Sequence, residues 1–85
     1  MATMTVNIVS PEAELFSGEA SEVYARSLDG EIGILPGHQP ALLALADAPV
    51  RIKTTSGEMH SFTVHGGFLS FRDNVLTVLA DSAEQ

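Results

Sequence analysis

Three histidines, His38, His60 and His65, are the side chains best suited to metal binding or proton transfer. His60 and His65 stand five residues apart in a run rich in β-formers, and a strand of period two sends them to opposite faces. They cannot share a metal through local geometry, and the chain lacks a His-x-His pair of the kind a β-barrel metal site offers. Solvated or hydrogen-bonded histidines are therefore expected, with no metal and no cofactor. The absence of cysteine excludes disulfides, thiolate zinc sites and cysteine nucleophiles together, and fits a reducing compartment. A serine nucleophile needs a base and an orienting acid converging on it, and no Gly-x-Ser-x-Gly turn is present. The acid pairs Glu12 with Glu14 and Glu19 with Glu22 offer carboxylates for glycoside chemistry, but they flank turns among polar residues and read better as a solvated rim.

The segment Gly30-Glu31-Ile32-Gly33-Ile34-Leu35-Pro36-Gly37-His38 is the least bland. Its glycines are irregularly spaced and followed by proline rather than a helix, so it is no phosphate cradle. Glycine permits unusual backbone angles, and Pro36 and Pro40 stiffen the exit, which predicts a rigid exposed loop over 36–40 with polar tips at Glu31 and His38. A rigid loop loses little entropy on docking and suits a protein contact. A plain crossover between sheets is the alternative reading, and Gly66-Gly67-Phe68 is best explained by close backbone packing.

These residues need a scaffold, and 85 residues make one domain, 1–85, rather than a two-domain enzyme. The chain is 45% hydrophobic and 18% charged, enough apolar surface to fold. Eleven Asp and Glu against four Lys and Arg give a net charge of −7, which disfavours nucleic acid and anionic lipid. The longest apolar run, 40–46, is far below the ~18 residues of a membrane span, so a soluble chain without lipid insertion is expected.

Apolar residues alternate with polar ones between turn signals about every ten residues, the pattern of an all-β sandwich or barrel. Met4, Val6 and Ile8 form one strand, broken by Ser10-Pro11, and a turn is expected at Ser17-Gly18. A strand over 22–28 ends at Asp29-Gly30, a pair suited to positive φ angles. Residues 41–46 read as a short buried strand, since six residues make a poor helix. Val50, Ile52 and Thr54 oppose Arg51, Lys53 and Thr55, and Ser56-Gly57 turns into a strand over 59–65. Leu69 and Phe71 oppose Ser70 and Arg72, Asp73-Asn74 is a hairpin tip before a strand over 75–80, and 81–85 is a polar tail or the first turn of a missing element.

The motifs Gly-Glu-Ile-Gly-Ile-Leu-Pro-Gly-His-Gln-Pro at 30–40, Val-Arg-Ile at 50–52, Val-His-Gly-Gly-Phe-Leu at 64–69 and Asp-Asn-Val-Leu-Thr-Val-Leu-Ala-Asp at 73–81 resemble the epsilon subunit family of the rotary F-type ATP synthase. Val-Asn-Ile-Val-Ser-Pro-Glu at 6–12 and Leu-Phe-Ser-Gly-Glu at 15–19 match as well. The resemblance implies a flattened β-sandwich of two antiparallel sheets at the foot of the central stalk, a non-catalytic subunit that links the gamma subunit to the membrane c-ring and couples rotation to ATP synthesis. It implies a c-ring contact at Gly30, Glu31 and Gly33 and a gamma contact at His38, Pro40 and Leu42. It also implies a peripheral position on the cytoplasmic face of a bacterial plasma membrane. Most members continue into a helical hairpin that can restrain ATP hydrolysis and in some binds ATP. A chain ending at Gln85 is expected to support coupling without either property. Outside this family, a hydrolytic or sugar-binding sandwich using the acidic rim or the histidines, and a generic adaptor domain, remain as alternatives.

Overall fold

Met4, Val6 and Ile8 are buried and Thr5 is exposed, so the first apolar alternation becomes a strand with one face in the core. A computed structural model describes residues 2–84. Its strands are β1 (Met4–Val9), β2 (Glu14–Ser27), β3 (Gly30–Ile34), β4 (Ala41–Ala44), β5 (Ala48–Thr54), β6 (Met59–Val64), β7 (Gly67–Arg72), β8 (Val75–Ala80) and β9 (Ala83–Glu84). The fold is an all-strand β-sandwich, with no helix among the described residues.

The long strand β2 holds the architecture together. Fourteen residues at about 3.3 Å each would reach about 46 Å, more than the 32 Å length of the molecule, so the strand has to bend. It bends at a bulge between Ala20 and Glu22, where Ser21 Oγ donates to the Lys53 carbonyl at 3.3 Å. Before the bulge β2 pairs with β1; after it β2 pairs with β3 and β5. One layer is therefore β4-β7-β8-β1 with the first half of β2, and the other is β3, the second half of β2, β5, β6 and β9. A bridge between Ser27 and Leu45 brings the end of β4 back to β2. Between the layers lies one apolar cluster in which Phe62, Phe71, Met4, Ile8, Ile34, Ile52, Leu69 and Leu76 are almost fully buried. Each such side chain contributes about 1.5–3 kcal/mol through removal from water. The 18 Å short axis fits two sheets packed about 10 Å apart.

Several expectations need correction. The sheets are not purely antiparallel: β1 and β8 run parallel, with Thr5 beside Val75 and Val9 beside Leu79. There is no turn at Ser17-Gly18. Gly18 pairs with Val6 inside the β1–β2 ladder, with the Phe16 ring in van der Waals reach of its α-carbon side. Residues 41–44 do form a strand, but at the rim rather than buried: Leu42 is 72% exposed, Leu43 packs against the core from a half-buried position, and Leu45 just beyond is buried. The loop after β2 consists of Leu28 and Asp29, and of the pair Asp29-Gly30 only Gly30 has a positive φ. Within the 81–85 segment expected as a polar tail or a first turn, Ala83–Glu84 forms a short strand paired with Thr63 and Val64 of β6, and residue 85 lies outside the described residues. Asp73 and Asn74 are a hairpin tip as expected, both at positive φ (52° and 60°), as a two-residue primed turn requires. At Gly67, a Cβ would lie 2.1 Å from the Leu79 carbonyl oxygen, which accounts for the second glycine by backbone packing.

Candidate functional site

Six of the residues singled out from the sequence, Gly30, Glu31 and Gly33 with His38, Pro40 and Leu42, fall into two patches on the outer faces of the two layers. The first is built on the β2–β3 hairpin. Ser27 Oγ donates to the Gly30 carbonyl at 2.9 Å and accepts from the Asp29 amide at 3.2 Å, which stiffens the two-residue turn. Cross-strand pairing sets Arg26 beside Glu31, and Tyr24 between Gly33 and Arg51. The Tyr24 ring covers Gly33 so closely that a Cβ there would sit 3.1 Å from it, so Gly33 serves as a seat for the tyrosine.

Charge is unevenly distributed over this face. Arg26, Arg51 and Lys53, three of the four basic residues, stand here on an acidic chain. Glu31, with 72% of its side chain exposed, lies 3.9 Å from Arg51, and such an exposed pair holds its carboxylate only weakly. Glu22 is 3.6 Å from Lys53 and accepts a short hydrogen bond from the Tyr24 hydroxyl. That bond lowers the Glu22 pKa, with Lys53 assisting, and raises that of Tyr24, because each partner favours the charged carboxylate beside a neutral phenol. Arg26, Glu31, Ala48, Pro49, Arg51 and Ser61 line a shallow cavity of about 250 Å³ on this face.

The second patch begins at the loop between β3 and β4. The His38 amide donates to the Leu35 carbonyl at 3.0 Å, closing a turn with Pro36 and then Gly37 at its centre; Gly37 has φ +85°, as a type II turn requires. The Gly37 amide donates to Asn74 Oδ1 at 2.7 Å. The half-buried His38 ring meets buried Phe71 edge-on at 5.9 Å, and its Nδ1 lies 2.6 Å from the Gln39 carbonyl, so that nitrogen carries the proton and donates. The segment expected from its two prolines to be an exposed loop is one, and it is tied to a distant hairpin through Asn74.

From this loop the outer face of the β4-β7-β8-β1 layer opens. Register places Ala44, Phe68, Leu79 and Val9 in one row across four strands, and Leu42 with Ser70, Thr77 and Asn7 in the next. Leu42 (72%), Phe68 (55%) and Leu79 (55%) stay exposed. Pro40, Leu42, Ser70 and Arg72 border a cleft of about 480 Å³ floored by Ala41 and Phe71. The exposure of Phe68 and Leu79 escaped the sequence reading. They are apolar residues out of phase with buried Leu69 and Phe71 and with buried Leu76, Val78 and Ala80, and that phase break is the signal that could have exposed them.

Gly30, Glu31 and Gly33 thus share the first patch, while Pro40 and Leu42 border the second and His38 anchors its loop. The other candidates do not converge. His60 packs against the Phe16 ring at 5.5 Å, and His65 lies 3.4 Å from Glu84. Glu19 accepts from Thr3 Oγ1 at 2.7 Å on the part of β2 that pairs with β1, whereas Glu22 lies beyond the bulge beside β5. Among the described residues no three of His, Asp and Glu gather closely enough to hold a metal ion.

Comparison with known proteins agrees with this architecture. The ATP synthase epsilon chain of Streptomyces avermitilis is 48% identical over 83 residues, covering 98% of this chain and 67% of its own length. That of Brevibacillus brevis is 48% identical over 84 residues, covering 99% and 64%. The chain thus spans about two thirds of the length of these relatives. Among solved structures, a chain of the Euglena gracilis mitochondrial ATP synthase (OSCP/F1/c-ring, rotational state 1) superposes with a TM-score of 0.92 at 20% identity, covering 99% of this chain and 54% of that one. A chain of the Tetrahymena thermophila mitochondrial ATP synthase central stalk and c-ring gives 0.81 at 19% identity, covering 96% and 66%. These two likenesses concern the fold. The β-sandwich domain of the ATP synthase delta/epsilon chain matches residues 3–85, and the chain belongs to that family.

Proposed function

We propose that the chain is a non-catalytic central-stalk subunit of a proton-translocating F-type ATP synthase, bridging the gamma subunit to the membrane c-ring so that rotation is coupled to ATP synthesis. The observation that carries this reading is the pair of dissimilar patches on one stiff sandwich. The apolar rows around Leu42, Phe68 and Leu79, with the His38–Pro40 loop beside them, suit a protein surface that stays covered. Gamma is the occupant assigned to them. The exposed Glu31 carboxylate, beside Gly30 and Gly33 on a stiffened hairpin, suits pairing with a basic loop of the c-ring. Its weak hold on Arg51 leaves it free to exchange partners. As a subunit of that complex, the chain is assigned a peripheral position on the cytoplasmic face of the bacterial plasma membrane.

The test of the ring contact is charge reversal. Glu31→Lys should reduce ATP-driven proton pumping in membrane vesicles while the sandwich stays folded, because Glu31 is exposed and contributes little to the core. Undiminished pumping with the variant incorporated would remove the ring contact from this patch.

A further inference from the structure

Asn74 sits at the tip of the β7–β8 hairpin, yet its interactions reach well beyond it. Its backbone carbonyl accepts from the Thr5 amide of β1 at 2.9 Å. Its side-chain oxygen accepts from the Gly37 amide at 2.7 Å, across 37 residues of sequence. Gly37 is the positive-φ centre of the turn that delivers His38 and Pro40, and the β3–β4 loop has no strand partner over 35–40. Two contacts join this loop to the β7–β8 hairpin: the Asn74 bond and the edge-on packing of His38 on Phe71. Phe71 belongs to the same hairpin as Asn74.

We infer that Asn74 is a positioning residue: its side chain fixes the 35–40 loop, and through that loop the presentation of His38 and Pro40 to the gamma subunit. The second half of this statement rests on the gamma contact proposed above. Asparagine also suits the turn itself, since it tolerates φ of +60°, and a turn-forming role alone would leave the loop indifferent to its side chain.

Two substitutions separate these roles. Asn74→Gly keeps the backbone angle and removes the acceptor; Asn74→Asp keeps both. The Gly37 amide should exchange with solvent about fivefold faster in Asn74→Gly than in the parent chain, the ratio expected for loss of one ordinary hydrogen bond. Affinity for purified gamma subunit should fall roughly threefold or more. In Asn74→Asp both quantities should stay within about twofold of the parent. An unchanged Gly37 exchange rate in Asn74→Gly overturns the inference. So does faster exchange with unchanged gamma affinity, if His38→Ala weakens binding in the same assay. If His38→Ala and Asn74→Gly both leave affinity unchanged, the docking assignment of the loop fails, and the presentation role of Asn74 fails with it, whereas the Gly37 exchange rate still decides whether Asn74 shapes the loop.

Discussion

Replacing Leu42 by aspartate tests the assignment of the apolar face most directly. A leucine taken wholly out of water contributes about 1.5–3 kcal/mol, and Leu42 still exposes 72% of its surface, so covering it contributes about 1–2 kcal/mol to association. An unpaired carboxylate under the same cover costs roughly 1–3 kcal/mol more. Together these approach 3 kcal/mol or more, and each 1.4 kcal/mol is about tenfold in affinity, so gamma binding should weaken about a hundredfold. The fold should hardly respond: the side chain lies outside the core cluster, and an exposed substitution usually changes stability by about 0.5 kcal/mol or less. Titration calorimetry with purified gamma subunit reads the affinity, and a urea denaturation curve of the same sample reads the fold. Arg26→Ala, on the outer face of the other layer, serves as the control and should bind gamma as the parent chain does. If Leu42→Asp bound within threefold of the parent while remaining folded, this face would not be the gamma contact, and the reasoning from its exposure would be wrong.

Other consequences are independent of the partners. Gly67→Ala forces a Cβ to within 2.1 Å of the Leu79 carbonyl oxygen at φ +122°, and should cost about 2–4 kcal/mol in urea denaturation. A domain of this length has roughly 4–13 kcal/mol in all, so a change below about 1 kcal/mol would mean the β7–β8 backbones are not so close. Tyr24→Phe removes the bond to Glu22 and should make stability less dependent on pH. The lowered Glu22 pKa contributes stability that is full above its unfolded value and lost as pH falls through the folded one. The raised Tyr24 pKa contributes stability that is full below the unfolded value of about 10 and lost as pH rises through the folded one. The difference in melting temperature between parent and Tyr24→Phe should therefore be largest near neutrality and shrink at both ends; a difference constant across pH would refute it.

Local signals in the sequence carried as far as their range allowed. Alternation at Met4, Val6 and Ile8 and at Val50 and Ile52 identified β1 and β5, because half-burial imposes period two on a strand. Asp73-Asn74 announced its turn because few other residues accept two positive φ angles in succession. Gly18 misled, since a residue that permits a turn is also tolerated inside a long strand, where the ladder to Val6 continues through it. The exposure of β4 and the parallel β1–β8 pair depend on which strands lie beside them, which no local pattern encodes. In the candidate site, the irregular course of the Pro36–Pro40 loop between strands was legible from its prolines. The Asn74 tie, the Tyr24 cover over Gly33 and the Arg51 neighbour of Glu31 were not, because each joins residues separated in sequence and brought together by the register.

The parallel pair also governs when the domain can become competent. Thr5 and Val75 are neighbours across the β1–β8 ladder although 70 positions separate them (75 − 5), and closing a loop of that length costs about 4 kcal/mol of chain entropy. The β7–β8 hairpin, by contrast, closes over a two-residue turn. During synthesis the β1–β8 contact cannot form until β8 has left the ribosome. The row Ala44–Phe68–Leu79–Val9 takes shape only when β8 docks beside β1, so an unfinished chain cannot display it. If gamma reads that row, assembly is a check on complete folding, and truncated or misfolded copies are excluded from the rotor without any separate quality-control step.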